Sequence, residues 1–451
     1  MTMELSDLAA SILERSGSGE HLEVYVARGR DAEVRVYEGA VESLTAATSA
    51  GVGIRVLTES PDGMREGFAW AGSLDAGVIT DTLAAARDNA RFATPDPHVA
   101  LATPDGVAVA DVVTYDPSIS SVSTEEKIAF VTELERLVRQ HPKVKGISSS
   151  DYSDGEVEMA LASTNGIAVS SRRSVASAAV DVIAEDGDEI QTGYSYTAGR
   201  SFAQLELEAT AADAVRRAVS LLGATKPTSR HCTVVLDPRV VAQLLSIVAA
   251  ALSGEAVVKG RSFFAGRIGE MVAAPGFTLV DDPTNPLAYG AARVDGEGLA
   301  CRRNELIVNG QLQRFYYDTV AARRAGTSST GSALRGGFAG TPGPGCRALA
   351  LQPGTMSKDE ILSAVGDGIY VQAISGVHSG VSPVSGDFSV GTEGFLISDG
   401  ALGAPIREAT IASTLQKMLA DVVAVGRDVE WLPGSAAGQS VAISNMSLSG
   451  V

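Results

Sequence analysis

Two tight-turn dipeptides, Asn165-Gly166 and Asp186-Gly187, cut the stretch from Val144 to Ser195 into alternating strand segments. Asn-Gly and Asp-Gly supply the left-handed backbone that a short hairpin turn demands. Strands joined so closely run antiparallel, because a parallel pair needs a crossover of a dozen residues or more. Helical patterns lie before and after this meander rather than between its strands. The chain therefore reads as α+β and not as a doubly wound parallel sheet. The expected architecture is an N-terminal region of antiparallel strands with flanking helices, then a C-terminal region that is mainly β, barrel-like, with helices.

A length of 451 residues suggests two or three domains. Punctuation divides the chain at 1–95, 115–223 and 229–451. In the first segment, Leu5, Leu8, Ile12 and Leu13 share a helical face. Strands follow at His21–Ala27 and Ala32–Tyr37, then Gly51–Leu57 and Glu66–Trp70 around a Pro61-Asp62-Gly63 turn. Thr80–Phe92 reads as a helix, and Thr94–Pro117 as an irregular linker. Ser123 and Glu126 have the spacing of a capping box at the head of another helix. Leu205–Leu222 returns to helix, with Gly223 as its stop. Thr225–Ser229 marks the second boundary. Beyond it come a strand at Cys232–Leu236, a helix at Pro238–Leu252, a capped helix after Ser357 and a late helix over Ala409–Val425. The glycine-dense stretch from Gly331 to Gly345, with Pro342 and Pro344, predicts a long irregular loop.

Composition removes several function classes. Lys+Arg number 36 against 54 Asp+Glu, a net charge of −18 with no basic run, which is the wrong sign for nucleic acid or an anionic membrane. Three scattered cysteines give neither a disulfide framework nor a CxxC metal site, as expected of a cytoplasmic protein. The N-terminus carries acids where a signal peptide carries Lys or Arg. The longest apolar stretch, Val240 to Leu252, is interrupted by Gln243 and Ser246 and is too short for a membrane span. The five histidines, His21, His98, His141, His231 and His378, include no pair at HExxH or HExxxH spacing, so no single helix presents two imidazoles to one metal. No GxSxG elbow and no GxxxxGK[ST] loop occur. The remaining candidates for chemistry are His378 in a glycine-bracketed loop and the acids Glu255, Glu270, Asp281, Asp282 and Asp387. Asp281-Asp282 before Pro283 reads as a loop start, and Asp387 beside Gly386 as a turn former.

Gly376-Val-His-Ser-Gly-Val-Ser-Pro-Val-Ser-Gly-Asp-Phe-Ser-Val-Gly391, followed by Gly394-Phe-Leu-Ile397 and Pro405-Ile-Arg-Glu408, resembles the C-terminal signature of the TldD/PmbA family. The His-Ser-Gly arm before the Gly-Asp-Phe-Ser-Val-Gly block is similar to its TldE (PmbA) branch. Gly51-Val-Gly-Ile-Arg-Val56 resembles the family's first domain, Asn165-Gly166 and Asp186-Gly-Asp188 its second, and Ser262-Phe-Phe-Ala-Gly-Arg-Ile-Gly-Glu270 with Asp281-Asp282 its third. Together these cover nearly the whole chain.

The resemblance implies a two-subunit metallopeptidase in which the TldD-type subunit holds a metal, expected to be zinc, on an HExxxH helix plus a cysteine near the C-terminus. Counted back without gaps from Gly269-Glu270, those helix positions fall on Leu245, Ser246 and Ala250 in this chain. The cysteine region matches Gly434–Ser440, which has no Cys. The implied role is thus a metal-free TldE-like subunit with no cofactor of its own. It would pair with a TldD-like catalytic subunit and help enclose an extended peptide or amide. The loops around His378, Ser379 and Gly380 and around Gly336 and Gly337 would be lips of the chamber. Two alternatives stay open: a stand-alone or homo-oligomeric amide hydrolase using His378, Asp387, Glu255 and Glu270, and a non-enzymatic regulator acting through protein partners.

Overall fold

The computed structural model describes residues 3–451, so the first two residues of the expected 1–95 segment lie outside it. Its N-terminal half is organised by one antiparallel sheet. The elements are α1 (Leu5–Leu13), β1 (Glu20–Tyr37), β2 (Ala40–Ser60), β3 (Gly63–Ala71), α2 (Ala76–Phe92), α3 (Thr124–Val138), β4 (Val144–Ser163), β5 (Ala168–Asp186), β6 (Glu189–Gly199) and α4 (Leu207–Val219). The strand order is β3-β2-β1-β4-β5-β6. β1 joins the first strands to the Val144–Gly199 meander through a ladder from Glu23↔Ser163 to Val36↔Ser150.

The period of two explains the layering. Even-numbered side chains of β1 face the helices: Leu22, Val24 and Val26 pack with α1 and α2, and Val34 and Val36 with α3 and α4. Odd-numbered Tyr25 and Ala27 face the other way and pack with Leu161, Ile167 and Leu299. Both dipeptide turns form where the sequence places them, with Gly166 and Gly187 at positive φ. The capping box at Ser123 also forms, its Oγ accepting from Glu126 N and the Glu126 carboxylate accepting from Ser123 N.

The second half is mainly β. It contains β7 (Arg230–Leu236), α5 (Pro238–Ala251), α6 (Gly254–Val258), β8 (Leu279–Asp281), β9 (Asn304–Val308), β10 (Gln311–Leu312), α7 (Thr319–Arg324), β11 (Ala333–Leu334), β12 (Gly343–Pro344), β13 (Leu349–Leu351), α8 (Lys358–Val365), β14 (Gly368–Ser375), α9 (Val377–Gly380), β15 (Asp387–Ser398), β16 (Ala401–Thr414), α10 (Leu415–Ala420), β17 (Val422–Val425), β18 (Glu430–Trp431), β19 (Ala437–Gly438) and β20 (Val441–Ser449). Strands β16-β15-β14-β7-β20 lie side by side, and β20 pairs again with β16, which closes a five-stranded barrel. The β7–β14 pair is parallel and its neighbours are antiparallel. The apolar face of α5, with Val241, Leu244, Leu245 and Val248, is buried in the main core, at about 1.5–3 kcal/mol for each large side chain.

Three expectations need correction. His21–Ala27 and Ala32–Tyr37 are one continuous strand, and β2 extends back to Ala40 well before Gly51. The late helix over Ala409–Val425 is mostly strand: β16 runs to Thr414, α10 occupies only Leu415–Ala420, and β17 follows. Buried Ala409 and Ile411 alternate with more exposed neighbours, so the local period is two and not 3.6. The Gly331–Gly345 stretch is not a free loop. It contains the β11–β12 pair and is pinned to the N-terminal sheet by Arg335 and Phe338.

Candidate functional site

Helix α5 starts at Asp237, whose carboxylate accepts from Arg239 N, with Pro238 in the first turn. The three positions counted from the family pattern do not share a face of it. Leu245 is 2% exposed and lies in the core. Ser246 and Ala250, four residues apart on one face, are exposed. The Ser246 hydroxyl donates to Ala242 O at 2.9 Å, a bond back into its own helix. Two hydrocarbon side chains and an occupied hydroxyl offer no ligand set for zinc, which takes thiolate, imidazole and carboxylate donors. Among the described residues, no group of three or more His, Cys, Asp and Glu is arranged to hold a metal. These three residues do not fit the ion.

The loop candidates sit apart from one another. His378 and Ser379 are exposed in the one-turn α9, and Gly380 is half-buried against β15, where a Cβ would lie 1.8 Å from Ser389 O. Asp387 is exposed and accepts from Ser385 Oγ at 2.7 Å, the turn-forming role read from its neighbours. Glu270 is exposed and paired with Arg267 at 2.8 Å. Glu255, on α6, pairs with Lys259. No hydrogen bond or ion pair joins His378, Glu255, Glu270 and Asp387 to each other. Among the described residues the one Ser–His hydrogen bond, between Ser447 Oγ and His231 Nδ1, is 3.5 Å long, exposed, and has no carboxylate bonded to the ring. Gly336 is exposed and Gly337 half-buried at the tip of the pinned segment.

Where the two halves meet, the structure assembles a charged cluster. Glu23 of β1 receives hydrogen bonds from Arg55 of β2 and from Arg335, which crosses from the glycine-dense segment. Arg55 Nε also donates to Glu66 of β3 at 2.6 Å. Burial works to raise the Glu23 carboxyl, but the two guanidiniums outweigh it and hold it below the ordinary carboxylate range. Arg335 Nε donates to Gly296 O at 3.0 Å, which brings the Asp295-Gly-Glu-Gly298 turn against the cluster. Asp295 Oδ1 accepts from Glu297 N and Leu299 N, and its Oδ2 accepts from Ala333 N. Glu297 Oε2 accepts from Thr319 N and Oγ1, while its buried Oε1 has no partner. Burial first, and the nearby Asp295 second, push the Glu297 carboxyl up to about 8. Asp281 is buried in β8, accepts from Arg347 N and Ala348 N, and is pushed up by burial to about 6. Asp282 alone makes the expected loop start, accepting from Thr284 N.

Beside this cluster lies a cavity of about 170 Å³ lined by Arg55, Glu66, Glu255, Asp318, Arg324 and Pro344. It offers both guanidinium donors and carboxylate acceptors to a small polar group. It holds no nucleophile–base pair. Sequence reasoning missed Asp295 and Glu297. The available signal was an acid pair alternating with glycines, of which Gly298 has φ +84 and Gly296 sits against Leu334 and Arg335.

Comparison with known proteins places these features in context. Three family models match in succession: the PmbA/TldA metallopeptidase domain 1 over 22–90, the central domain over 117–222 and the C-terminal domain over 229–450. The metalloprotease PmbA of Escherichia coli O157:H7 is 27% identical over 99% of this chain and 96% of its own. A metalloprotease TldD homolog of Haemophilus influenzae is 26% identical over 87% of this chain and 82% of its own. The crystal structure of TldE from Thermococcus kodakarensis superposes with a TM-score of 0.87 at 22% identity, covering 99% of both chains. A Thermotoga maritima protein, crystallised as a candidate modulator of a DNA gyrase, gives 0.90 at 21% identity over 99% of this chain and 100% of its own.

Proposed function

The chain belongs to the PmbA/TldA metallopeptidase family, and from that premise we propose that it serves as the TldE-like half of a two-subunit peptidase. In this reading a TldD-like subunit carries the metal and cuts the amide bond. This chain closes one side of the chamber and holds the peptide extended. The observation that carries the reading is α5, where the positions assigned to metal ligands and base hold Leu245, Ser246 and Ala250.

Two further features support it. A TldD homolog aligns with most of this chain, so the two kinds of subunit share a fold and can present like surfaces to each other. The exposed His378-Ser379-Gly380 turn stands on the barrel with the His ring free of side-chain partners among the described residues, and is the proposed contact to peptide or partner. An extended peptide presents backbone N–H and C=O groups at every residue, and strand-like pairing would grip it with little regard to sequence. The proposed setting is the cytoplasm; among the described residues no helix is long and apolar enough to cross a membrane.

The test is metal content and hydrolysis of an unstructured peptide pool, first by the purified chain and then by the chain mixed with a TldD-like protein from the same source. Cleavage only in the mixture is the expected result. Cleavage by the chain alone, or no gain when it joins the TldD-like protein, overturns the reading.

A further inference from the structure

Arg173 and Arg200 are two half-buried cations without an anion. Along β5, Ala178, Val180 and Val182 pack beneath α3 and α4, so odd-numbered Arg173 faces away from the helices, in register with Val157. Its neighbour Arg172 points to the other side, where Glu156 lies 3.9 Å away. Arg200 directly follows β6. Both reach the same short stretch of the C-terminal half. One Arg173 nitrogen donates to Tyr289 O, and one Arg200 nitrogen donates to Ala288 O at 3.1 Å. The Arg173 guanidinium also lies 5.6 Å from the centre of the Tyr289 ring. Among the described residues, neither guanidinium pairs with a carboxylate or makes a second hydrogen bond. None of their remaining nitrogens is sealed off from solvent.

This is an unexpected vacancy in a chain with 54 acids and 36 bases. Burial first, and Arg200 beside it second, push the Arg173 guanidinium below its ordinary range, and burial does the same to Arg200. Arg347 adds a third positive charge to the field at Arg173. Its Nε is buried without a partner. Asp281 and Asp295 lie within the field of Arg347, but they accept from backbone N–H groups and not from its guanidinium. An anion at Arg173 and Arg200 would meet two planar forks, each able to donate in parallel to both oxygens of a carboxylate.

The floor beside the forks has the shape of an extended chain. On the face that carries Arg173, β5 continues through half-buried Val175, Ser177 and Ala179. A cavity of about 460 Å³ lies over the far end of this row, lined by Ser153, Ser177, Ala179 and Tyr194 among others. Asp151, an acid of that cavity, stands opposite Ala179, about 20 Å along the strand from Arg173, and is paired with Arg35. A free inorganic ion needs no such floor, whereas a peptide does. We propose that Arg173 and Arg200 form a carboxylate-binding fork that holds an acidic group of an extended peptide, either its C-terminus or an Asp or Glu side chain. The fork rests on the peptide-holding role proposed above and gives that role a substrate preference.

The test is binding of a short fluorescent peptide of Gly, Ser and Val to the purified full chain, read by anisotropy. The peptide is made with a free C-terminal carboxylate, with a C-terminal amide, and as an amide with one internal Glu. The free acid should bind about 10-fold or more tighter than the plain amide. A Glu-bearing amide that ranks with the acid extends the fork to side chains, and one that ranks with the plain amide restricts it to chain ends. Arg173→Gln with Arg200→Gln should bring acid and amide within about twofold, and each single variant should lose part of the preference. Neither arginine has an ion pair to lose, so circular dichroism and melting should not change. Arg323→Gln, an exposed arginine that bonds only to carbonyls elsewhere, should keep the full preference. Equal binding of acid and amide by the wild type, no binding of the acid, or a preference that survives both substitutions overturns the proposal. Inorganic phosphate that binds the fork more tightly than the acid peptide does so as well. Cleavage by the mixture with a TldD-like protein at equal rates for acid and amide would sink the fork and spare the peptidase reading. An acid preference in binding without any cleavage would do the reverse.

Discussion

Arg335 and Glu23 stand 312 residues apart in sequence and form an ion pair whose two side chains are each only 2% exposed. The pair joins the glycine-dense segment of the C-terminal half to the first strand of the N-terminal sheet. Losing one partner leaves a buried charge short of its counter-ion, at a cost of about 3–5 kcal/mol. Arg335→Met should therefore lower unfolding stability by that order in a denaturant titration. Glu23→Gln added to it should recover part of the loss, because the two residues act on one interaction. Additive losses would mean that the pair is not coupled.

Glu297 makes stability depend on pH in an unusual direction. Its ordinary pKa of 4.5 rises to about 8 in the folded chain. Between those values the unfolded chain releases the proton and the folded chain retains it, so the folded state binds more protons and stability falls as pH rises. Below about 4.5 the penalty is absent, and above about 8 it is complete. Asp281, shifted from 3.8 to about 6, adds to the same trend at lower pH. Glu297→Gln keeps the shape and cannot ionise. It should flatten the decline by an amount on the order of a few kcal/mol, read from unfolding titrations at pH 5 and pH 8. A variant with the wild-type slope would sink this assignment.

At Gly53 the sheet accepts the backbone of Phe338, and an added Cβ would lie 2.2 Å from Phe338 O. A backbone carbonyl cannot swing aside as a long side chain can. Gly53→Ala should cost about 1–3 kcal/mol and loosen the glycine-dense segment. The Phe338 ring lies 6.1 Å from that of Trp70, so Trp70 fluorescence should change. The same substitution at Gly72, where a Cβ would meet nothing within 4 Å, serves as the control.

Grafting the missing pattern as Leu245→His, Ser246→Glu and Ala250→His should not create a zinc site. The first imidazole would start in the core, while the other two groups lie on the exposed face. The expected outcome is no retained zinc after dialysis, with a stability loss of about 2–5 kcal/mol from the core position. Stoichiometric zinc on the triple variant would show that α5 can turn those positions toward one point.

His378→Ala should leave melting within about 0.5 kcal/mol of wild type, since the ring is exposed and unbonded. Cleavage of peptide by the mixture with a TldD-like protein should fall severalfold if the turn touches substrate or partner as proposed. An unchanged rate would remove this turn from the proposed chamber.

Local rules carried the sequence reading where a local cause dominates. Ser123–Glu126 and Ser357–Glu360 both form capping boxes, and the strands around Gly166 and Gly187 turn where glycine permits a positive φ. The reading failed where tertiary placement decides. Ala409–Thr414 is drawn into the barrel by its pairing with β15 and β20, so its alternation outweighs a helix-like composition. The exposed half of β2 carries no buried alternation and so no strand signal, yet it forms because β1 offers it a ladder. In the site, Arg335 was visible as a charge in a glycine-dense stretch, but nothing nearby in sequence names Glu23 as its partner. Asp295 and Glu297 were passed over because their carboxylates bond chiefly to backbone and to a distant threonine.

The second pairing of β20 with β16 gives the barrel a property that the open sheet lacks. In a closed ring the registers of all five strands must add up, so a one-residue deletion within any of them has to be absorbed somewhere around the circle. The irregularities at Val371/Ala373, Thr392/Gly394 and Ile443/Met446 are where such slack already resides. Insertions and deletions that persist over evolutionary time should therefore gather in the connections of this half. In the N-terminal sheet, which is open and closes no ring, lineages can lengthen or trim a strand without consulting the others.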